Sequence, residues 1–398
     1  MSIELTKKQE EGLKIAVERW KNNEKYTVIA GYAGTGKSTL VKFIIEAIDV
    51  ESSKVAYASY TGKAAEVLRK KGNPNAMTLH RLLYDSFPRE GGGFFKKRKE
   101  YLEYSIVVVD EVSMVPKTMI NLLMKHKVYI LFLGDPFQLP QIEKKEEHDL
   151  LVNPHVFLDE IMRQEAESEI IQLTMKIRND EQIDYYKGNE VQIIPKSELV
   201  TGHLTWADQV ICATNATRHT YNQQMRDLYG FTGKVPQDGE KMICLKNYWD
   251  ELDTFGNAPL VNGTTGIIKN PFESFTKIPS WIQCHNHHLE NITCDFITDD
   301  GTFSQIMMDK ELLIDGSSCL EWREAYQVHR YEFRTHTLLV PYEFAFGYAI
   351  TAWKAQGSEW DKVVALEERF PFDKKEHARY LYTVCTRASS KLVLVRNI

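Results

Sequence analysis

The stretch Gly31-Tyr32-Ala33-Gly34-Thr35-Gly36-Lys37-Ser38 constrains this chain more than any other. It fits the phosphate-loop pattern of two fixed glycines followed by Lys and Ser/Thr. It stands between an apolar β-branched run, Val28-Ile29-Ala30, and an amphipathic stretch that begins near Thr39. A strand that turns through glycines into a helix leaves backbone N–H groups to curl around phosphates, so Gly31, Ala33, Gly34, Thr35, Gly36 and Thr39 form the expected cradle. Lys37 reaches the β and γ oxygens, and Ser38 offers a hydroxyl to Mg²⁺ at a helix N-terminus that already favours anions. ATP with Mg²⁺ is the ligand this pattern predicts.

The surrounding sequence has the rhythm of a parallel α/β sheet. Val28–Ala30, Lys54–Ala58, Ile106–Val109 and Tyr129–Leu133 are continuous apolar runs, as strands buried on both faces require, and each is followed by small or polar residues. Ligands of such sheets bind at the carboxyl ends of strands. Asp110-Glu111 directly follows one strand, with Asp110 suited to Mg²⁺ and Glu111 to activating the attacking water. Pro88, Gly91-Gly92-Gly93, Phe94-Phe95 and a basic run break the rhythm, predicting an inserted hairpin over 84–103. The reading is therefore an α/β domain over 1–83 and 104–157. A second α/β domain over 158–236 and 336–398 is split by an all-β insertion at 237–335, where alternation is short and Asn262-Gly263 and Asp300-Gly301 mark turns.

At 398 residues, 43% hydrophobic and 26% charged, the composition is that of a globular protein of two or three domains. No apolar run approaches the roughly 18 residues of a membrane span. The N-terminus lacks an apolar signal region, so no membrane partner and a cytoplasmic location are expected. Net charge is −6, but 61–100 holds ten basic residues against four acidic ones. Screening confines fields to about 8–10 Å, so that window can attract phosphates on an acidic protein, or be a solvated face. The six cysteines read as thiols, and Cys284, His285, His287, His288 and Cys294 fit no standard zinc spacing.

Gly134-Asp135-Pro136-Phe137-Gln138-Leu139-Pro140, again directly after a buried strand, completes an order that resembles the superfamily-1 helicases, in particular their RecD-like and Dda-like branch. Leu5-Thr6-Lys7-Lys8-Gln9 is similar to the family's adenine-reading motif, Ala58–Ala65 to motif Ia, Met77–Leu83 to the Thr-x-His segment and Leu158–Gln164 to motif IV. Gly347–Glu359 is similar to motif V and Tyr382–Ala388 to motif VI. The resemblance implies two RecA-like domains with ATP between them, a small hairpin insertion in the first and an SH3-like insertion in the second. It also implies that Gln9, Gly357 and Glu359 contact nucleotide and that Gln138 senses the γ-phosphate. Arg163 and Arg387 would be arginine fingers.

By the same resemblance, Thr61, Lys63 and His80 on one domain and Asn215, Thr351, Trp353 and Lys354 on the other would grip DNA. Pro88, Phe94 and Phe95 would form a strand-separating pin, unless the two rings simply pack under the hairpin. Family members usually carry His where this chain has Trp353, which can stack on a base or fill the domain interface. The implied activity is ATP-driven 5′ to 3′ translocation on single-stranded DNA with unwinding at duplex junctions, in a bacterial cell or phage-infected host. A single-strand binding protein or replisome component would suit as protein partner. A phosphate-loop kinase and an ATP-gated DNA-binding module without unwinding are the rival readings.

Overall fold

Helix α1 (Lys7–Lys21) begins where Thr6 and Gln9 cap each other: Gln9 N–H donates to Thr6 Oγ1, and Thr6 N–H donates to Gln9 Oε1. This is a computed structural model, and it describes residues 4–88, 94–140, 148–162, 167–254, 259–277, 288–299, 301–315, 341–368 and 373–397. The chain divides into two compact units, Met1–Leu83 with Arg98–Arg218 and Ile350–Ile398, and Tyr84–Lys97 with His219–Ala349.

In chain order, α1 leads into β1 (Tyr26–Gly31), α2 (Lys37–Ala47), β2 (Val55–Ser59), α3 (Gly62–Lys70), β3 (Met77–Thr78) and α4 (Leu79–Leu83). The hairpin β4 (Tyr84–Pro88) and β5 (Phe94–Arg98) follows, then β6 (Ile106–Val109), α5 (Lys117–Leu123), β7 (Tyr129–Gly134) and β8 (Val156–Leu158). A six-stranded parallel sheet of order β3-β2-β6-β7-β1-β8 forms the first half of the larger unit. Its central strands are the continuous apolar runs, buried on both faces as the parallel arrangement demands. Tyr129 ties α1 down: its ring meets Trp20 edge-on at 5.2 Å and its hydroxyl donates to Ala16 O.

The second half continues with α6 (Glu169–Arg178), β9 (Tyr186–Lys187), β10 (Val191–Pro195), α7 (Thr201–Trp206), β11 (Gln209–Cys212) and α8 (Asn215–Leu228). The smaller unit contributes β12 (Lys241–Cys244), β13 (Tyr248–Leu252), β14 (Pro259–Leu260), β15 (Thr265–Lys277), β16 (His288–Ile297), β17 (Thr302–Asp309), α9 (Lys310–Asp315) and β18 (Phe344–Phe346). Thereafter come β19 (Ala349–Thr351), α10 (Ala352–Ala355), β20 (Trp360–Leu366), α11 (Lys374–Cys385) and β21 (Ala388–Arg396). The second large sheet has the order β19-β11-β20-β21-β10-β9, with β11, β20, β21 and β10 parallel and β9 antiparallel at one edge.

In the smaller unit the region expected to be all β is an antiparallel sheet of order β17-β16-β15-β12-β18 with the pair β13-β14, but it also carries helix α9, and the hairpin forms its own two-stranded sheet. Among the described residues the α/β texture is present again from Ala349, and the expected resumption near 336 lies outside them. Phe344–Phe346 pairs antiparallel with β12, and the Phe344 ring packs edge-on against Phe296 at 5.0 Å. Its aromatic alternation is that of a strand with one covered face.

Candidate active site

The phosphate loop joins β1 to α2. Gly34 and Gly36 both take φ of 74°, in the left-handed region. A Cβ on Gly36 would stand 2.4 Å from Gln9 Nε2 and 2.5 Å from Met162 Sδ, so position 36 needs glycine for space as well as conformation. Lys37 Nζ donates to Gly31 O at 2.8 Å and Tyr32 O at 2.9 Å, which holds the ammonium at the loop. Gln9 lies against the loop. It is fully buried, its Nε2 donates to Thr35 O and Gly36 O, and its Oε1 is bound to Thr6. The side chain braces the loop from behind and is not on the cavity wall.

The cavity in front of the loop has a volume of about 510 Å³, within the range of nucleotide-sized ligand sites. Its wall gathers Ala33 through Thr39, Asp110, Glu111 and Gln138 from the first half-sheet. Gly357, Glu359 and Arg387 come from the second. Gly31 lies at the end of β1, leading into the loop. Arg163 lies outside the described residues. Lys71, Asp135 and Ser168 also line the cavity without having been expected there, and Lys71 Nζ meets Glu359 Oε2 at 2.9 Å on the rim.

Burial and the adjacent Glu111 carboxylate push Asp110 up to about 6 against the pull of Lys37. Asp110 Oδ1 accepts from Glu111 N–H at 2.9 Å, and Glu111 itself takes a left-handed backbone, φ 51° and ψ 48°. Non-glycine residues rarely adopt that conformation, and it turns the Glu111 side chain away from the strand direction at the strand's carboxyl end. Gln138 Oε1 is buried and finds no hydrogen-bond partner among the described residues. Arg387, 5% exposed, is held by Thr383 O, Ser358 O and Thr386 Oγ1, uncharged acceptors that fix the guanidinium without neutralising it. For Mg²⁺, the oxygen donors Ser38 and Asp110 fit a hard cation that keeps most of its shell for water and phosphate.

The segment after β7 is stitched to the second half-sheet. Arg379 donates to Pro136 O at 3.2 Å and Gln356 to Leu139 O at 2.6 Å, while Leu139 N–H donates to Thr383 Oγ1 at 2.9 Å. The Trp353 indole donates to Pro140 O at 3.3 Å, so this ring belongs to the seam between the halves. Tyr382 of α11 accepts from Ala33 N–H at 2.8 Å and donates to Asp135 Oδ2 at 2.6 Å. Burial raises Asp135 above the ordinary carboxylate range, against the pull of Lys37 and Tyr382.

Of the residues expected to grip DNA, Thr61 caps α3 through Oγ1, and Lys63 pairs with Glu66 at 2.8 Å. Burial alone would raise Glu66, but Lys63 and Lys70 together hold it below its ordinary range. Part of the basic window is thus committed to ion pairs. His80 packs against Tyr60 with ring centroids 5.9 Å apart. Asn215 is exposed at the start of α8, where Glu368 accepts from the N–H groups of Ala213 and Thr214. Thr351 is buried and Lys354 half-buried. Pro88, Phe94 and Phe95 fall on the two hairpin strands, but their side chains lie outside the described residues, as do Cys284, His285, His287 and the His288 side chain. Cys294 is buried in β16, which pushes its thiol up to about 12. Among the described residues no helix is long and apolar enough to cross a membrane.

A phosphate loop, an acidic strand end and a basic residue carried by the second half-sheet, all on one cavity, define a phosphate-loop nucleotide-binding protein. An AAA-domain family model matches residues 4–194, and a UvrD-like helicase C-terminal domain model matches 346–395. The chain is 34% identical over 150 residues to the ATP-dependent RecD2 DNA helicase of Deinococcus radiodurans, a match covering 36% of this chain and 20% of that protein. It is 29% identical over 150 residues to the ATP-dependent DNA helicase dda of Enterobacteria phage T4, covering 36% and 34%. These matches thus span about a fifth and about a third of the two relatives. The fold is that of the Pif1 helicase from Bacteroides crystallised with ADP-AlF3 and ssDNA, with a TM-score of 0.54 at 18% identity over 100% of this chain and 94% of that one. By these matches the chain is similar to the RecD2 and dda DNA helicases over about a third of its length and to a UvrD-like helicase C-terminal domain over 346–395.

Proposed function

We propose that this protein is an ATP-dependent DNA helicase that moves 5′ to 3′ along single-stranded DNA and separates strands at duplex junctions. The observation that carries this reading is the convergence of Lys37, Asp110, Glu111 and Gln138 with Arg387, which comes from the other half-sheet, on one cavity. A kinase needs an acceptor pocket and a lid. A motor needs a triphosphate site whose completion depends on two halves that can part.

In the proposed reaction the loop amides and Lys37 bind the triphosphate. Ser38 and Asp110 would hold Mg²⁺, which when bound offsets charge on the β and γ phosphates. Glu111 takes a proton from water as its oxygen bonds to the γ-phosphorus, and the bond to the β-phosphate oxygen breaks, releasing ADP and phosphate. Gln138, whose buried Oε1 has no partner among the described residues, orients that water or the γ-phosphate. Arg387 stabilises charge on the transferring group. Thr61, Lys63, His80, Asn215 and Lys354 contribute to the DNA grip, supported by buried Thr351 and by Trp353 at the seam, Pro88, Phe94 and Phe95 divide the duplex, and Arg163 acts as a second finger.

The test is ATP hydrolysis with and without single-stranded DNA, together with unwinding of duplexes tailed at either end. Stimulated hydrolysis with displacement from 5′ tails is expected. DNA-independent phosphoryl transfer to another acceptor would establish the kinase, and stimulated hydrolysis without displacement the ATP-gated binding module.

A further inference from the structure

We propose that Tyr382 is a positioning residue of the ATP site, a hydroxyl relay that locks the phosphate loop to the Asp135–Gln138 segment from the opposite half-sheet. Its oxygen has two partners on the first half-sheet. It accepts from Ala33 N–H, one of the amides of the phosphate cradle, and donates to Asp135 Oδ2. Asp135 passes the constraint on, because its other oxygen accepts from Phe137 N–H at 2.9 Å, one residue before Gln138. The ring is fixed too, edge-on to Phe137 at 5.2 Å with an interplanar angle of 74°.

Tyr382 and Asp135 are each 1% exposed. Buried polar groups this well enclosed are costly unless paired, so phenylalanine at 382 would leave Asp135 Oδ2 without its donor and release the half-buried Ala33 N–H. Simple packing between the half-sheets does not need the hydroxyl. Thr383, Gln356 and Arg379 already stitch the same segment. What the hydroxyl adds is a link from the loop that binds phosphate to the glutamine that faces it. Release of α11 would therefore loosen both at once.

The proposal rests on the ATPase reading, and the experiment separates the two. In Tyr382→Phe, kcat for ATP should fall about 10- to 100-fold while KM stays within about 3-fold, because Lys37 and the loop glycines still bind the ground state. Hydrogen exchange of the nucleotide-free protein should quicken in peptides covering 31–36 and 135–139. Asp135→Asn should quicken only the latter. Exchange needs no turnover, so it decides the relay even if the wild type proves to have no ATPase activity. Wild-type kcat in Tyr382→Phe, or exchange unchanged at both segments, would overturn the proposal. So would a fall in kcat matched by an equal rise in KM.

Discussion

Replacing Asp110 by Asn should stabilise the protein while abolishing its turnover. The carboxyl lies in the cleft beside Glu111, and its pKa rises from 3.8 to about 6. The folded state therefore holds the proton more tightly than the unfolded chain. Stability from this group is complete below pH 4 and is lost as pH rises through 6. At 2.303RT per decade the loss by pH 8 is about 3 kcal/mol, with roughly half of it already present at pH 5. Asparagine keeps the carbonyl that accepts from Glu111 N–H and removes the charge. Urea unfolding in the presence of a chelator should thus show Asp110→Asn more stable than wild type by about 3 kcal/mol at pH 8, with the gap closing toward pH 4. The variant should have no Mg²⁺-dependent ATPase activity. A gap that does not change with pH, or a variant less stable at pH 8, would refute the account of Asp110 as a half-buried carboxyl whose charged form the cleft disfavours.

Lys37→Ala and Glu111→Gln should both lose turnover, but only the first should lose ATP affinity, because Lys37 acts on bound phosphate and Glu111 on the water; equal losses on calorimetry would overturn those roles. Arg387→Ala should lower hydrolysis by on the order of 10³-fold with the fold intact by circular dichroism, and near-normal activity would make it structural. Replacing Phe94 and Phe95 together by Ala should cut unwinding far more than single-strand-stimulated ATPase, which should stay within about a few-fold of normal. Unimpaired unwinding would remove the pin assignment.

Contiguity decided what the sequence could reveal. The strands Tyr26–Gly31, Val55–Ser59, Ile106–Val109 and Tyr129–Gly134 were legible because a strand covered on both faces is a continuous apolar run. The edge strands were not. Val156–Leu158 is three residues long with an exposed Phe157 at its centre, and Met77–Thr78 is only a pair. The phosphate loop and Asp110-Glu111 were legible because their chemistry lies in neighbouring residues. The bracing role of Gln9 and the relay through Tyr382 were not, because Gln9 meets Thr35 and Gly36, 26 and 27 positions away, and Tyr382 meets Ala33 and Asp135 at separations of 349 and 247. Only folding brings such partners together. The one available signal was a tyrosine inside motif VI, whose apolar neighbours suggest a core residue while its hydroxyl demands a partner.

The order of strands in the second large sheet has a consequence for how the chain is made. The first sheet has all its strands once Leu158 has been synthesised. The second opens with the antiparallel pair β9 and β10, but β10's parallel partner β21 does not begin until Ala388, and β11 waits for β19 at Ala349 and β20 at Trp360. At about 5–20 residues per second, the roughly 190 residues between β10 and β21 take some 10–40 s to translate. During that interval Ile193 and Ile194, buried in the finished sheet, lack the β21 strand that lies along one edge of β10. The nascent chain is then a formed half joined to an adhesive one, and a chaperone holding that apolar edge would matter most in this window. A ribosome stalled just before Ala388 would hold a chain able to form its phosphate loop but not the sheet that carries Arg387 into place.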